Sequence, residues 1–186
     1  MAKTKKQTSS ETIRNRVLST TRTHFYFLLA YAATIIAFDS WNLYTHEVIA
    51  KRWTYGGIFA IICCLLWFAQ KRYIRSTQAT TAVAYALIAS GITFAAMNVY
   101  IDRGMASKAV FLFALPLLVA AQLKSRSSLL ATAGISVAAY SIAAVRYFHV
   151  FYGEGLRVQL YGEVFFYSAL IFICALMLLP IIKQAD

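Results

Sequence analysis

Ten side chains in this 186-residue sequence have the chemistry of a binding site and fall where they could share one: Asp39, Asn98, Tyr100, Asp102, Arg103, Arg146, His149, Arg157, Tyr161 and Glu163. Each stands at or near the end of a long apolar run. Carboxylates, guanidinium groups, an amide, an imidazole and phenols can together hold a small polar or amphiphilic ligand through ion pairs and hydrogen bonds. A charge at the rim of an apolar layer is costly without water or a partner, which marks such residues as candidates for function. Asp39 and Arg146 are the sharpest cases, because they are opposite in charge and each adjoins an apolar run. Taken singly, residues of this kind are ordinary interfacial anchors and belt aromatics. The collection carries the expectation of a ligand-binding cup at one end of a helical bundle.

Other chemistries lack their patterns. His46-Glu47 is followed by Ala50 where the zinc motif HExxH requires a second histidine. Gly134-Ile135-Ser136 begins like an intramembrane serine protease motif, but Val137 stands where a second glycine is needed, so the segment reads as helix packing. There is no phosphate loop and no CxxC. Cys63, Cys64 and Cys174 lie inside apolar runs without metal-ligand spacing and read as small buried hydrophobes. No enzyme activity, metal or cofactor is expected.

The elements that must position these groups follow from hydropathy. A chain with 60% hydrophobic and 13% charged residues and a mean hydropathy of +0.62 is too apolar for an ordinary water-soluble domain. Its apolar residues come in blocks of helical length, which predicts an all-α polytopic membrane protein, a bundle of six transmembrane helices. Residues 1–23 form a basic tail, with Thr8 and Glu11 spaced as a capping box and a partly amphipathic helix suited to an anionic membrane surface; the alternative is a simple basic flank. Residues 24–182 hold the spans, near Phe25–Tyr44, Tyr55–Ala69, Ala79–Ile101, Met105–Leu123, Ser128–Val145 and Leu160–Ile182, and residues 183–186 are a short tail. Thr45–Thr54 reads as the first loop. Pro116 predicts a kink in the fourth span. Small residues Ala82, Ala86 and Ser90 on the third span, and Ala131, Gly134, Ala138 and Ser141 on the fifth, predict close helix packing.

Charge gives the orientation. Twelve of the eighteen Lys and Arg lie in the amino-terminal flank, the turns after spans two and four, and the carboxyl end. Both termini are therefore expected in the cytoplasm, and the bacterial cytoplasmic membrane is the expected location. Asp39, Glu47, Asp102, Glu154 and Glu163 fall on the opposite side. The formal charge of +11 thus expresses topology, and nucleic acid is not an expected partner.

One stretch carries a likeness. LFALPLLVAAQLKSRSSLLATAGISVAAYSIAAV resembles the membrane input modules of bacterial sensor histidine kinases, diguanylate cyclases and class III nucleotide cyclases, through Leu115-Pro116, Ala120-Ala121, Ser125-Arg126-Ser127, Leu129-Leu130 and Tyr140. The resemblance implies a receptor that binds a small or lipophilic ligand and passes a signal on. Such modules lead into an effector domain, whereas here the last span is followed by Lys183-Gln184-Ala185-Asp186, so the signal is expected to pass to a separate partner. Ala33 and Ala37 have the AxxxA spacing of the substrate-binding subunits of vitamin-type transporters, which keeps a transport reading open; a membrane scaffold is the third. The expected partners are the lipid bilayer, a small-molecule ligand, and a second copy or a separate effector or coupling protein.

Overall fold

A computed structural model describes residues 2–74, 76–102, 107–152 and 158–183. Among these residues the chain is all-α. It forms α1 (Ala2–Ser40), α2 (His46–Arg72), α3 (Thr77–Ile101), a 3-10 helix (Lys108–Phe113) that runs directly into α4 (Ala114–Gln122), then α5 (Arg126–Tyr152) and α6 (Val158–Lys183). The boundaries have local causes. Ser76 caps α3 by accepting the Ala79 N–H at 3.2 Å, and Ser125 accepts from the Ser128 N–H at 3.3 Å as α5 begins. Asn42 and Lys124, at φ 52° and 53°, reverse the chain between α1 and α2 and between α4 and α5.

Four helical stretches, His46–Arg72, Thr77–Ile101, Arg126–Phe151 and Tyr161–Pro180, are long and apolar enough to cross a membrane. Their outward surfaces have a membrane protein's character. Ile58, Ile61, Leu65 and Phe68 of α2 and Phe165, Phe166, Ile173 and Met177 of α6 all face away from the bundle. In α3 56% of the most apolar window is buried and in α6 only 11%, which makes α3 the centre and α6 the periphery. Helix α3 touches α1, α2, α4 and α5; α4 touches α1, α3, α5 and α6. The main core, with Leu87, Ala95, Leu117, Val119, Ala120, Leu129, Ala133 and Tyr140, therefore lies between α3, α4 and α5. A smaller core of Phe59, Cys63 and Phe94 joins α2 to α3 and is covered by Phe27 and Tyr31 of α1.

Several local expectations are corrected. Helix α1 runs unbroken from Ala2, so Thr8 is not its N-cap, and the basic segment and the first apolar run share one continuous helix. Val17, Thr21 and His24 on this segment are buried against the bundle. The first loop is short, because α2 already starts at His46. Pro116 falls in the first turn of α4, just after the 3-10 helix ends, so the place of the expected mid-helix kink is a junction between 3-10 and α geometry. Its ring packs on α3, 3.5 Å from where a Cβ on Gly91 would sit. Ala82 and Ala86 of α3, and Ala131, Gly134 and Ala138 of α5, face outward, because the larger residues on the opposite faces fill the core. Cys63 is buried as expected, but Cys64 and Cys174 are exposed.

At Gly56 the missing side chain lets the Tyr31 ring of α1 pack onto α2. A Cβ there would lie 2.9 Å from Cε1 of Tyr31, whereas Gly57 has open space around it. Gly56→Val is therefore expected to destabilise the protein by about 1–3 kcal/mol. Gly57→Val should leave thermal unfolding in detergent close to the wild type, and equal effects would show that the glycine contact is not limiting.

Candidate functional site

The helix directions place two kinds of ends together. The start of α1, the end of α2, the start of α3, the end of α4 and the start of α5 share the basic end; the other end gathers Asp39, Glu47, Arg52, Asp102, Lys108 and Arg146. At this mixed end Ile49, Arg52, Gly56, Phe59 and Cys63 form the buried stripe of α2. Arg52 occupies a core position on that stripe. With 6% of its surface exposed, it needs an internal counter-charge, and Asp102, the residue that caps the carboxyl end of α3, supplies one.

Nη2 of Arg52 donates to Oδ1 of Asp102 at 2.7 Å, and both side chains are buried. The second carboxylate oxygen, Oδ2, accepts from the Ser107 hydroxyl at 3.0 Å, and that same Oγ accepts the Ala109 N–H at 3.0 Å. The Arg52 guanidinium also lies over the Tyr44 ring, 4.4 Å from its centroid, with Phe38 at 5.6 Å. Burial first, then hydrogen bonding with and the charge of Asp102, raise the pKa of the Tyr44 phenol above its ordinary value. The phenol keeps its proton beside the carboxylate. One layer further in, the Tyr31 hydroxyl donates to Oδ1 of Asn98 at 2.6 Å, and Nδ2 of Asn98 donates to the Phe94 carbonyl at 2.9 Å. Five segments are thus tied together by polar groups: α1, the turn after it, α2, α3 and the 3-10 helix.

Beside this brace, two hollows flank the ridge of Thr93 and Met97 on α3. One, of about 280 Å³, lies between α2 and α3 and is walled by Ile58, Phe59, Ile62 and Phe94. The other, of about 560 Å³, lies between α3 and α5, with Ala96, Ala139 and Ile142 along its length and Tyr100 and Arg146 beside them. Tyr55 borders both. Their walls are apolar, whereas Arg146 is exposed and forms no ion pair among the described residues.

The expected cup is therefore divided. Asn98 and Asp102 join the buried brace, and Tyr100 and Arg146 meet at the α3–α5 hollow, where Tyr100 contacts the rings of Tyr147 and Phe151 at 6.2 and 6.4 Å. His149 lies one turn beyond Arg146 on the outward face of α5. Asp39 is exposed at the end of α1 and makes no ion pair among the described residues; α1 and α5 share no extensive interface, which separates it from Arg146. Tyr161 and Glu163 stand on α6, which packs on α4 and α5. Arg103, Arg157 and Glu154 lie outside the described residues. Sequence reasoning missed Arg52, Tyr31, Tyr44 and Ser107. Arg52 was legible in principle, because its spacing from Ile49, Gly56 and Phe59 is that of one helix face. The chain matches no protein family, no curated protein and no solved structure.

Proposed function

We propose that this is a receptor-like subunit of a bacterial cytoplasmic membrane, a six-span bundle with both termini in the cytoplasm, that binds an anionic amphiphile from the bilayer and passes its state to a separate partner. The observation that carries this reading is the hollow between α3 and α5, apolar along its length and flanked by Tyr100 and by Arg146, which forms no ion pair among the described residues. An acyl or isoprenoid chain would lie along Ala96, Ala139 and Ile142, and an acidic head would take the guanidinium. The Arg52–Asp102 brace supports it by holding the neighbouring end of α3. A receptor is favoured over a transport subunit because side chains such as Leu87, Val119, Ala120 and Leu129 fill the core towards the basic end, the direction in which a transported ligand would leave.

The test is equilibrium binding of a fluorescent single-chain alkyl phosphate to the purified protein in neutral detergent. Arg146→Gln is expected to weaken binding roughly tenfold, the scale of one charge-assisted hydrogen bond. Met97→Trp should block the hollow, and Lys108→Gln at the same end should change nothing. Equal binding by the wild type and Arg146→Gln, or equal binding of a neutral alkyl glycoside, would remove the basis for the reading.

A further inference from the structure

We infer a second lipid site at the opposite end of the bundle: the carboxyl-terminal turn of α2 binds the phosphate headgroup of an anionic phospholipid. A hollow of about 660 Å³ there is lined by Trp67, Phe68, Lys71, Arg72 and Tyr73. Nζ of Lys71 lies 4.8 Å from the Trp67 ring centroid, a contact that fixes the ammonium while leaving its N–H donors to a ligand. Trp67 is itself held edge-on by Phe25 of α1 at 6.3 Å, and Phe68 contacts the Tyr73 ring at 6.1 Å. The backbone beneath is pinned too. Nη2 of Arg14 donates to the Lys71 carbonyl at 3.2 Å, and Nε2 of Gln70 donates to the Arg14 carbonyl at 3.4 Å. Among the described residues neither Lys71 nor Arg72 forms an ion pair, and the hollow is lined by both cations.

The outward face of α2 says what kind of anion fits. Counting back from Arg72 at helical spacing, Phe68, Leu65, Ile61 and Ile58 are all exposed and all apolar, which makes a continuous track leading away from the two cations. Arg52 and Lys71 are separated along α2 by about 28 Å, close to the thickness of a hydrocarbon layer, so the cations stand at headgroup level when the mixed end stands at the other surface. A phosphodiester would take the planar fork of Arg72 and the point charge of Lys71, and its chains would follow the track. A free inorganic phosphate shares the head chemistry but has no use for the track.

The experiment uses the full chain with Trp41→Phe and Trp53→Phe, which leaves Trp67 as its one tryptophan. It is placed in phosphatidylcholine vesicles containing a minor fraction of phosphatidylglycerol, with bromine on the chains of one lipid or the other. Brominated phosphatidylglycerol is expected to quench Trp67 well beyond its mole fraction. Lys71→Gln and Arg72→Gln should each reduce that enrichment about fivefold, while Lys71→Arg should keep it. Quenching in proportion to mole fraction for both lipids would overturn the proposal, and this comparison needs no variant in the site. Loss of the enrichment on adding millimolar inorganic phosphate, with ionic strength held constant by chloride, would assign the hollow to free phosphate and overturn the lipid assignment. Persistence of enrichment under phosphate would uphold it. The outcome is independent of Arg146, whose failure to bind an alkyl phosphate would leave this site standing.

Discussion

Replacing Asp102 by alanine is expected to cost about 3–5 kcal/mol of stability. The reason is asymmetric. Arg52 cannot follow its lost partner by deprotonating, since the guanidinium remains charged in proteins, and its position on the buried stripe between Ile49 and Gly56 keeps it from water. The Tyr44 ring alone, at 4.4 Å, offsets only part of the cost of an unpaired buried cation. Ser107 would also lose its acceptor, and with it the link between α3 and the 3-10 helix. The check is an unfolding titration in mixed micelles followed by circular dichroism. Arg52→Met combined with Asp102→Leu should recover most of the loss, because two apolar side chains need no pairing. Wild-type behaviour of the single variant would mean that the two charges are solvated and the brace is not formed.

Phe59→Ala is the second large effect, about 3–5 kcal/mol. Phe59 is 2% exposed, stacks on Phe94 at 4.5 Å with the rings 10° apart, and contacts His24 of α1 at 6.1 Å. Its removal opens the smaller core where α1, α2 and α3 meet, and that core cannot collapse easily because Tyr31 is tethered to Asn98. The same substitution enlarges the hollow between α2 and α3, which Phe59 helps to wall. Phe165→Ala provides the contrast. With 76% of its surface exposed on α6, it should shift the midpoint little in the same micellar titration. A comparable loss at both positions would indicate that the aromatic residues act through the detergent and not through the core.

The apolar blocks announced the helices because length and hydropathy need no tertiary information: the stretches read near Ala79–Ile101 and Ser128–Val145 lie within α3 and α5. Which face of each helix looks inward was less legible. The small residues of α5 suggested a packing seam, yet Thr132, Ser136 and Tyr140 point to the core and Ala131, Gly134 and Ala138 point away. A lipid-facing surface and a protein core are both apolar, so hydropathy cannot tell them apart, and small residues are compatible with either. Asn98 and Asp102 were found as candidates through their place at a span end, but the partner of Asp102 was assigned to a loop. Glu47 and Lys51 form an i, i+4 ion pair on the exposed side of α2, and this polar first turn of the helix masked its start. Chain distance hid the rest, since Arg52 and Asp102 are 50 residues apart.

That separation along the chain bears on how the protein is made. Ribosomal synthesis delivers α2 with its arginine well before α3 brings the carboxylate, and Ser107 follows later still. A lone arginine within a spanning helix opposes entry into the bilayer by up to about 2.5–3.5 kcal/mol, less near the end of the helix. Paired across a hairpin whose turn contains Ser76, the two charges would offset each other's cost of entering lipid. The α2–α3 hairpin is therefore expected to enter the bilayer as one unit, and α2 should be less protected from protease in a chain arrested before Asp102 than in one arrested after Ser107.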